Sequence, residues 1–243
     1  MGSTAPSPVT VLVWDLPLRL FHWLLVVAVT FAGVTGHLGG GWLEWHGRAG
    51  LAILGLLAFR AVWGVIGSTH ARFVAFFPSP ARLRAYLKGE WRGVGHNPLA
   101  ALAMLAILAT AAAQGLTGLF ANDDIDYQGP LVPLVSGDFS SLSSWLHELV
   151  FLGLLSLVAL HLGAIAYHGW LGGQTLVLPM VTGTKEVPTE LATKHEGGGP
   201  VRLLLAAALA SALVWTVGSG ALTRWLLPPP PSQPPAGAAP AAW

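Results

Sequence analysis

The chain has 243 residues, of which 53% are hydrophobic and only 9% are charged, and its formal net charge is +1. This composition is far from that of a soluble domain and indicates a polytopic helical membrane protein. The absence of cysteine excludes disulfides, iron–sulfur clusters and haem attached covalently through a C-x-x-C-H motif. The near-zero charge gives no indication of nucleic-acid binding, and we expect none.

Five apolar stretches predict five membrane-spanning helices. They lie at about 18–36, 44–67, 98–120, 145–168 and 201–222. We therefore expect an all-α integral membrane fold with five transmembrane helices. An alternative with four spans would make residues 201–222 a re-entrant or interfacial helix.

The predicted organisation has five parts. They are an N-terminal cytoplasmic lead without a cleaved signal (1–17), a four-helix core (18–184), a cytoplasmic loop (185–200), the fifth transmembrane helix (201–227) and a disordered proline-rich tail (228–243).

Lysine and arginine are distributed unequally among the loops. The loop after span two carries five of them, and the loop after span four carries Lys185 and Lys194, whereas the loops after spans one and three carry none. The five are Arg72, Arg82, Arg84, Lys88 and Arg92. By the positive-inside rule the N-terminus is cytoplasmic, and the C-terminal tail is periplasmic or external. Arg224, on the outer side, is an exception.

Two histidines share one face of the fourth span. His147 and His161 are fourteen residues apart, which returns the chain to nearly the same face about 21 Å further along the helix. Because the hydrocarbon core is about 30 Å thick, one imidazole lies just inside each membrane boundary. Polar groups at such positions are costly and are usually functional.

The depths of two further histidines match these. His22 lies near the inner end of span one, at the depth of His161, and His46 lies near the outer start of span two, at the depth of His147. A bis-histidine haem needs two imidazoles at one height on different helices. We therefore predict two non-covalent haem b groups, an inner one whose iron is held by His22 and His161 and an outer one held by His46 and His147.

Other side chains surround these positions. Arg60 lies at the depth of the inner haem and is predicted to bind a haem propionate, because a buried arginine needs an anion. Arg19 either binds a propionate as well or is a snorkelling interfacial cation. Gly33 and Gly36 share the face of His22 and would leave room for a flat macrocycle.

The remaining histidines are weaker candidates. His37 is a rival to His46 for the outer haem. His168 either contacts a propionate or a quinone, or is simply interfacial. We do not expect His70, His96 or His195 to be iron ligands.

Four segments carry a resemblance to a known family: LRLFHW, HGRAGLAILGLLAFRAVWGVIGSTHARF, GHNPLAALAML and WLHELVFLGLLSLVALHLGAIAYH. They resemble the prokaryotic cytochrome b561 family over about residues 12–185, especially the membrane cytochrome b subunit of nickel–iron hydrogenases and related stand-alone diheme cytochromes b that work with periplasmic c-type cytochromes. The resemblance implies a four-helix transmembrane haem-binding bundle in a bacterial inner membrane, with two b haems ligated from spans one, two and four. The fifth transmembrane helix and the proline-rich tail depart from this minimal pattern. The resemblance also implies a quinone site near the inner haem, for which the candidates are His22, Trp23, His168 and the His96–Asn97 segment.

The expected function is electron transfer across the bilayer, between the quinone pool and a periplasmic partner that is either a c-type cytochrome or a hydrogenase-like enzyme. Acidic residues after span three either steer a basic partner such as a c-type cytochrome or simply form a solvated external loop; they are Asp123, Asp124, Asp126 and Asp138. The sequence does not decide whether the chain is itself a quinone oxidoreductase or acts only within a complex. The alternative is a redox-inactive membrane anchor or assembly subunit. A transporter with histidine proton relays is disfavoured, because broken helices and inverted repeats are absent.

Overall fold

The computed structural model describes residues 8–125, 127–173, 175–192 and 196–227. In chain order the elements are β1 (Val9–Leu12), α1 (Leu16–Leu38), α2 (Leu43–Ile66), α3 (Phe73–Phe76), α4 (Pro80–Leu87), α5 (Pro98–Gly118), α6 (Gly137–Trp170), α7 (Val177–Thr182), β2 (Thr184–Val187), α8 (Gly199–Gly218) and α9 (Ala221–Leu226). Single 3-10 turns occur at Gly40–Trp42, Val132–Leu134 and Thr189–Leu191. Helices α1, α2, α5, α6 and α8 are long and apolar enough to cross a membrane, which confirms the predicted all-α membrane fold.

Side-chain caps decide where three of the long helices begin. The carboxylate of Asp15 accepts the Leu18 N–H at 3.0 Å, and the side chain of Asn97 accepts the Ala100 N–H at 2.7 Å. In both helices a proline follows the cap at the position where its missing N–H costs least. Ser136 caps α6 by accepting the Phe139 N–H at 3.3 Å.

Helix α6 is longer than predicted. The apolar run suggested a start at residue 145, but the Ser136 cap sets the start at Gly137, with Asp138 in the first turn. An acidic residue there is favourable to the helix dipole. Residues 137–144 were therefore wrongly predicted as loop, because a polar first turn gives no hydrophobic signal.

The packing order of the spans makes α2 the central helix. It packs against α1, α5 and α8, whereas α6 makes its extensive helix contacts with α5. In the most apolar window of each helix, 28% of the residues are buried for α2 and 6% for α6. The α6 helix thus lies at the edge of the bundle, although it is the most apolar span.

Helix α8 runs antiparallel to α2, with contacts from Ile66 back to Leu51. Arg202, near its start, donates to the Ile66 carbonyl at 3.3 Å, and Gly218, at its end, lies against Leu51. Midway, Val214 packs so closely on Gly55 that a Cβ on the glycine would lie 2.6 Å from it. Helix α8 is also long and apolar enough to cross a membrane, so the structure favours five spans over a re-entrant segment.

A two-stranded sheet is an addition to the predicted helices. Strands β1 and β2 pair antiparallel from Val9↔Val187 to Leu12↔Thr184, and the N–H groups of Val13 and Trp14 both donate to the Gly183 carbonyl. The predicted boundary between core and loop at 184/185 falls inside β2. The lead and the segment after α6 are therefore joined at one end of the bundle.

We call this end, which includes residues 67–97, the basic end, and the opposite end, which includes residues 119–136, the acidic end. Residues 68–97, at the basic end, were predicted as loop but contain the short helices α3 and α4. Lys194, His195, Asp126, the tail 228–243 and residues 1–7 lie outside the described residues.

Candidate functional site

Two of the predicted ligands meet at the acidic end. The ring centroids of His46, in the first turn of α2, and His147, in α6, are 5.8 Å apart, with the rings nearly perpendicular. Two imidazoles on opposite sides of one iron need about 6 Å between ring centres, since each metal–nitrogen distance is about 2 Å. The 5.8 Å between the ring centres therefore matches the distance expected for two imidazoles on one iron. His37, the rival of His46, is exposed at the end of α1.

The surroundings of His46 leave its second nitrogen free. Its Nδ1 lies 2.8 Å from the Ala32 carbonyl oxygen, which can only accept, so the proton is on Nδ1 and the Nε2 lone pair is available. The ring rests against Gly36, where a Cβ would lie 2.8 Å from Nδ1. Gly36 was expected to make room for a macrocycle on the His22 face; instead it makes room for the His46 ring.

Helix α5 supplies the surroundings of His147. The Thr117 hydroxyl lies 3.1 Å from Nδ1, and the Gln114 amide nitrogen lies 2.9 Å from Nε2. A Cβ on Gly118 would lie 2.9 Å from the ring. Gln114 and Thr117 were missed from the sequence; two polar residues one turn apart in an apolar span, at the depth of His147, are the signal that could have found them. The Gln114 amide and an iron would compete for one lone pair, so ligation requires this side chain to turn aside.

The second predicted pair lies towards the basic end. His22 and His161 are close enough to interact electrostatically, and His22 Nδ1 is buried without a hydrogen-bond partner among the described residues. The His22 ring also contacts the Trp23 ring edge-on at 5.0 Å. An unsatisfied polar nitrogen in an apolar bundle is costly and is expected where a further group binds.

Arg60 is buried, with 2% of its surface exposed. Its guanidinium carbon lies 4.5 Å from the ring centre of Phe73 and 6.0 Å from that of Phe76, and its Nη1 has no hydrogen-bond partner in the described structure. The nearby carboxylate of Asp15 is already engaged by the Leu18 N–H and, at 3.0 Å, by the Trp63 indole N–H. A buried cation with an unused donor suits an anionic group such as a propionate.

Arg19 and Trp23 contact the α7 segment. Arg19 donates to the Val181 carbonyl, and the Trp23 indole N–H donates to the Met180 carbonyl at 3.3 Å. Both side chains therefore hold α7 against α1. The Arg19 Nε is buried without a partner among the described residues, so a propionate contact through it stays a prediction.

His96 lines a cavity of about 300 Å³ at the basic end. Its ring packs on Trp14 at 4.5 Å and on Phe76 at 5.2 Å, and its Nδ1 is buried without a partner among the described residues. Burial lowers the pKa of His96 to about 4, and the nearby Arg60, His161 and His22 act in the same direction, so the imidazole is neutral at pH 7. Other residues of the wall are His70, Arg82, Trp91, Arg92 and Glu190.

The remaining quinone candidates are less available. The Asn97 side-chain oxygen is engaged as the cap of α5. His168 is half-buried near the end of α6, edge-on to the Tyr167 ring at 5.4 Å.

Two of the acidic residues after α5 accept hydrogen bonds from residues of the same turn. Asp123 accepts the N–H groups of Ile125 and Tyr127, and Asp124 accepts from the Asn122 amide. The Tyr127 hydroxyl packs against Gly47, next to His46, and burial raises the pKa of Tyr127. Asp138, which was predicted in the loop, lies in the first turn of α6.

The donor sets fit haem better than a bare metal ion. Among the described residues there is no group of three or more His, Asp or Glu side chains that could hold a metal ion. Paired imidazoles suit haem iron, for which the porphyrin provides the other four nitrogens.

Comparisons with known proteins agree with this chemistry. The family model described as prokaryotic cytochrome b561 matches residues 13–183. A probable Ni/Fe-hydrogenase B-type cytochrome subunit of Azotobacter chroococcum mcd 1 is 28% identical over 214 residues, covering 71% of this chain and 87% of that protein. Its counterpart in Bradyrhizobium diazoefficiens is 24% identical over 222 residues, covering 76% of this chain and 90% of that protein. No solved structure matches the chain.

The family match covers most of the chain and includes all four candidate ligands. Together with the five apolar helices, it makes the chain a multi-pass membrane protein that binds haem b and takes part in electron transfer. The chain belongs to the prokaryotic cytochrome b561 family.

Proposed function

We propose that the chain binds two b haems and carries electrons across the bilayer between the quinone pool and a periplasmic redox partner. The observation that carries the proposal is the His46–His147 pair, whose ring centres lie 5.8 Å apart on two different helices. His22 and His161 would hold the inner haem, and His46 and His147 the outer haem. The bound haems would supply one-electron oxidation and reduction.

The chain's own residues would hold and orient these groups. Two imidazoles on each iron leave no open coordination position, which disfavours oxygen chemistry at the metal. Arg60 would bind an inner-haem propionate through its unused Nη1 donor. The apolar helices would exclude water, so that each charge inside the bundle needs a partner.

We place the quinone head group in the cavity beside His96. A quinone carbonyl accepts hydrogen bonds, and the wall offers donors in Arg82, Arg92 and the neutral imidazole of His96. The cavity is near the inner pair, because His96 interacts electrostatically with both His22 and His161. Trp23 is a weaker candidate, since its indole N–H already donates to the Met180 carbonyl.

The proposed orientation puts the basic end in the cytoplasm and the acidic end in the periplasm, in line with the positive-inside rule. Arg224, the exception, donates to the Ser219 carbonyl at 2.8 Å, and a cation is favourable at the C-terminal end of a helix such as α8. The names of the relatives support a nickel–iron hydrogenase as the periplasmic partner. The acidic residues after α5 support a basic partner such as a c-type cytochrome.

Haem content tests the proposal. Purified protein should contain two haem b per chain by pyridine haemochrome, and His22→Ala and His147→Ala should each lose one. His37→Ala is the matched control and should keep both. Protein that carries no haem would favour the alternative of a redox-inactive anchor, and retention of both haems in His147→Ala would refute the ligand assignment.

A further inference from the structure

Helix α5 packs against one side of the His147 imidazole. Gln114, Thr117 and Gly118 occupy one face of this helix and all contact the ring. The family resemblance draws iron ligands from the first, second and fourth spans, and so leaves α5 without a part in holding haem.

The hydrogen bonds of Thr117 determine what its hydroxyl can do. The oxygen lies 2.9 Å from the Ala113 carbonyl and 3.0 Å from the Gln114 carbonyl. The single hydroxyl proton is donated to one of these carbonyls, so towards His147 Nδ1 the oxygen acts as acceptor. The proton of the imidazole is then on Nδ1, and Nε2 carries the lone pair.

We propose that Thr117 is a positioning residue for His147, which holds the imidazole in the Nδ1–H form and keeps the lone pair on Nε2, the nitrogen that now contacts the Gln114 amide and that iron would take. The inference rests on the proposed function, because it takes His147 to be an iron ligand. Gln114 contacts the nitrogen that iron would take and must turn aside, whereas Thr117 contacts the other nitrogen and keeps its bond when iron is ligated.

The two outer ligands differ in a way that makes Thr117 testable. The Nδ1–H of His46 donates to a backbone carbonyl, which no side-chain replacement removes. The Nδ1–H of His147 donates to a side chain. An acceptor on this N–H increases the basicity of the ligand and so favours ferric iron. Loss of the hydroxyl should therefore raise the midpoint potential of the outer haem.

The experiment compares Thr117→Val with Thr117→Ser by redox titration of the purified full chain, followed by its haem spectrum. In the valine variant the ferric–ferrous equilibrium of one of the two haems should shift towards the ferrous form by roughly tenfold, which raises its midpoint potential by about 59 mV for one electron. The serine variant keeps the hydroxyl and should behave as wild type. Thr216→Val is the matched control, since Thr216 makes the same bond to the Ala212 carbonyl at 2.7 Å, on α8.

A second measurement does not depend on haem. In the full chain labelled with ¹⁵N-histidine, prepared without haem in lipid nanodiscs, the signals of His147 are identified by their loss in His147→Ala. They should report the Nδ1–H form in wild type. In Thr117→Val they should report a mixture of both forms, because the Gln114 side chain can present either its NH2 group or its oxygen to Nε2 once the hydroxyl is lost. An Nε2–H form in wild type, or an unchanged potential and spectrum in the valine variant, would overturn the inference while leaving the haem assignment in place. Wild-type protein with no haem would instead refute the proposed function.

Discussion

The contact between Gly36 and the His46 ring gives a prediction that can be worked out from the structure. A Cβ at position 36 would lie 2.8 Å from Nδ1 and 2.9 Å from the neighbouring ring carbon. Ordinary contacts of this kind are well above 3 Å, so Gly36→Ala must push the ring away from α1. This movement also stretches the 2.8 Å bond between Nδ1 and the Ala32 carbonyl.

The expected magnitude follows from three contributions. Overpacking costs about 1–3 kcal/mol, and the weakened hydrogen bond costs about 1 kcal/mol. The third contribution, the change from glycine to alanine within a helix, stabilises the haem-free and haem-bound protein alike by about 1 kcal/mol and so cancels in haem binding. The haem-free protein relieves the clash by moving the ring, which iron ligation would hold in place, so the loss of about 2–4 kcal/mol corresponds to roughly 30- to 900-fold weaker binding of the outer haem.

The assay measures the rate and extent of haem transfer from the purified protein to an excess of a haem-free acceptor protein. Gly36→Ala should release one haem faster than wild type and retain the other. Val27→Ala is the control on the same helix, because the Val27 side chain is exposed. If Gly36→Ala retained both haems as firmly as Val27→Ala, the position of the His46 ring against α1 would be wrong.

Two further predictions concern the basic end. Arg60→Met should lower the midpoint potential of the inner haem, by about 59 mV for each tenfold change in its ferric–ferrous equilibrium, because a buried positive charge favours the reduced state. Arg60→Lys keeps the charge and should keep most of the wild-type potential. An unchanged potential in Arg60→Met would argue against a propionate contact. Asp15→Ala removes the cap of α1 and the acceptor of the Trp63 indole N–H, and should lower the free energy of unfolding by about 2–4 kcal/mol in a denaturant titration. Asp15→Asn keeps an acceptor and should cost clearly less; equal losses in both variants would mean that the charge of Asp15, and not its hydrogen bonds, stabilises the fold.

Periodicity within single helices accounts for what could be predicted. The apolar runs determine the five spans, and the fourteen-residue spacing of His147 and His161 places them on one face of α6 whatever packs against it. The matched depths of His46 and His147 follow from their positions within the predicted spans, and the structure does bring these two rings together.

Contacts across helix interfaces depend on which helices are neighbours and on how they are rotated, and only the tertiary structure decides this. The sequence places Gly36 on the His22 face, yet the ring that fills the space beside it comes from α2. It marks Thr117 and Gln114 only as polar residues in an apolar span, and their role appears once α5 packs against α6. It also gives no indication that Arg19 and Trp23 bond the backbone carbonyls of α7, a contact that appears only once α7 packs against α1. Local spacing thus determines the height and the face of each side chain, whereas its partner depends on long-range packing that no single segment encodes.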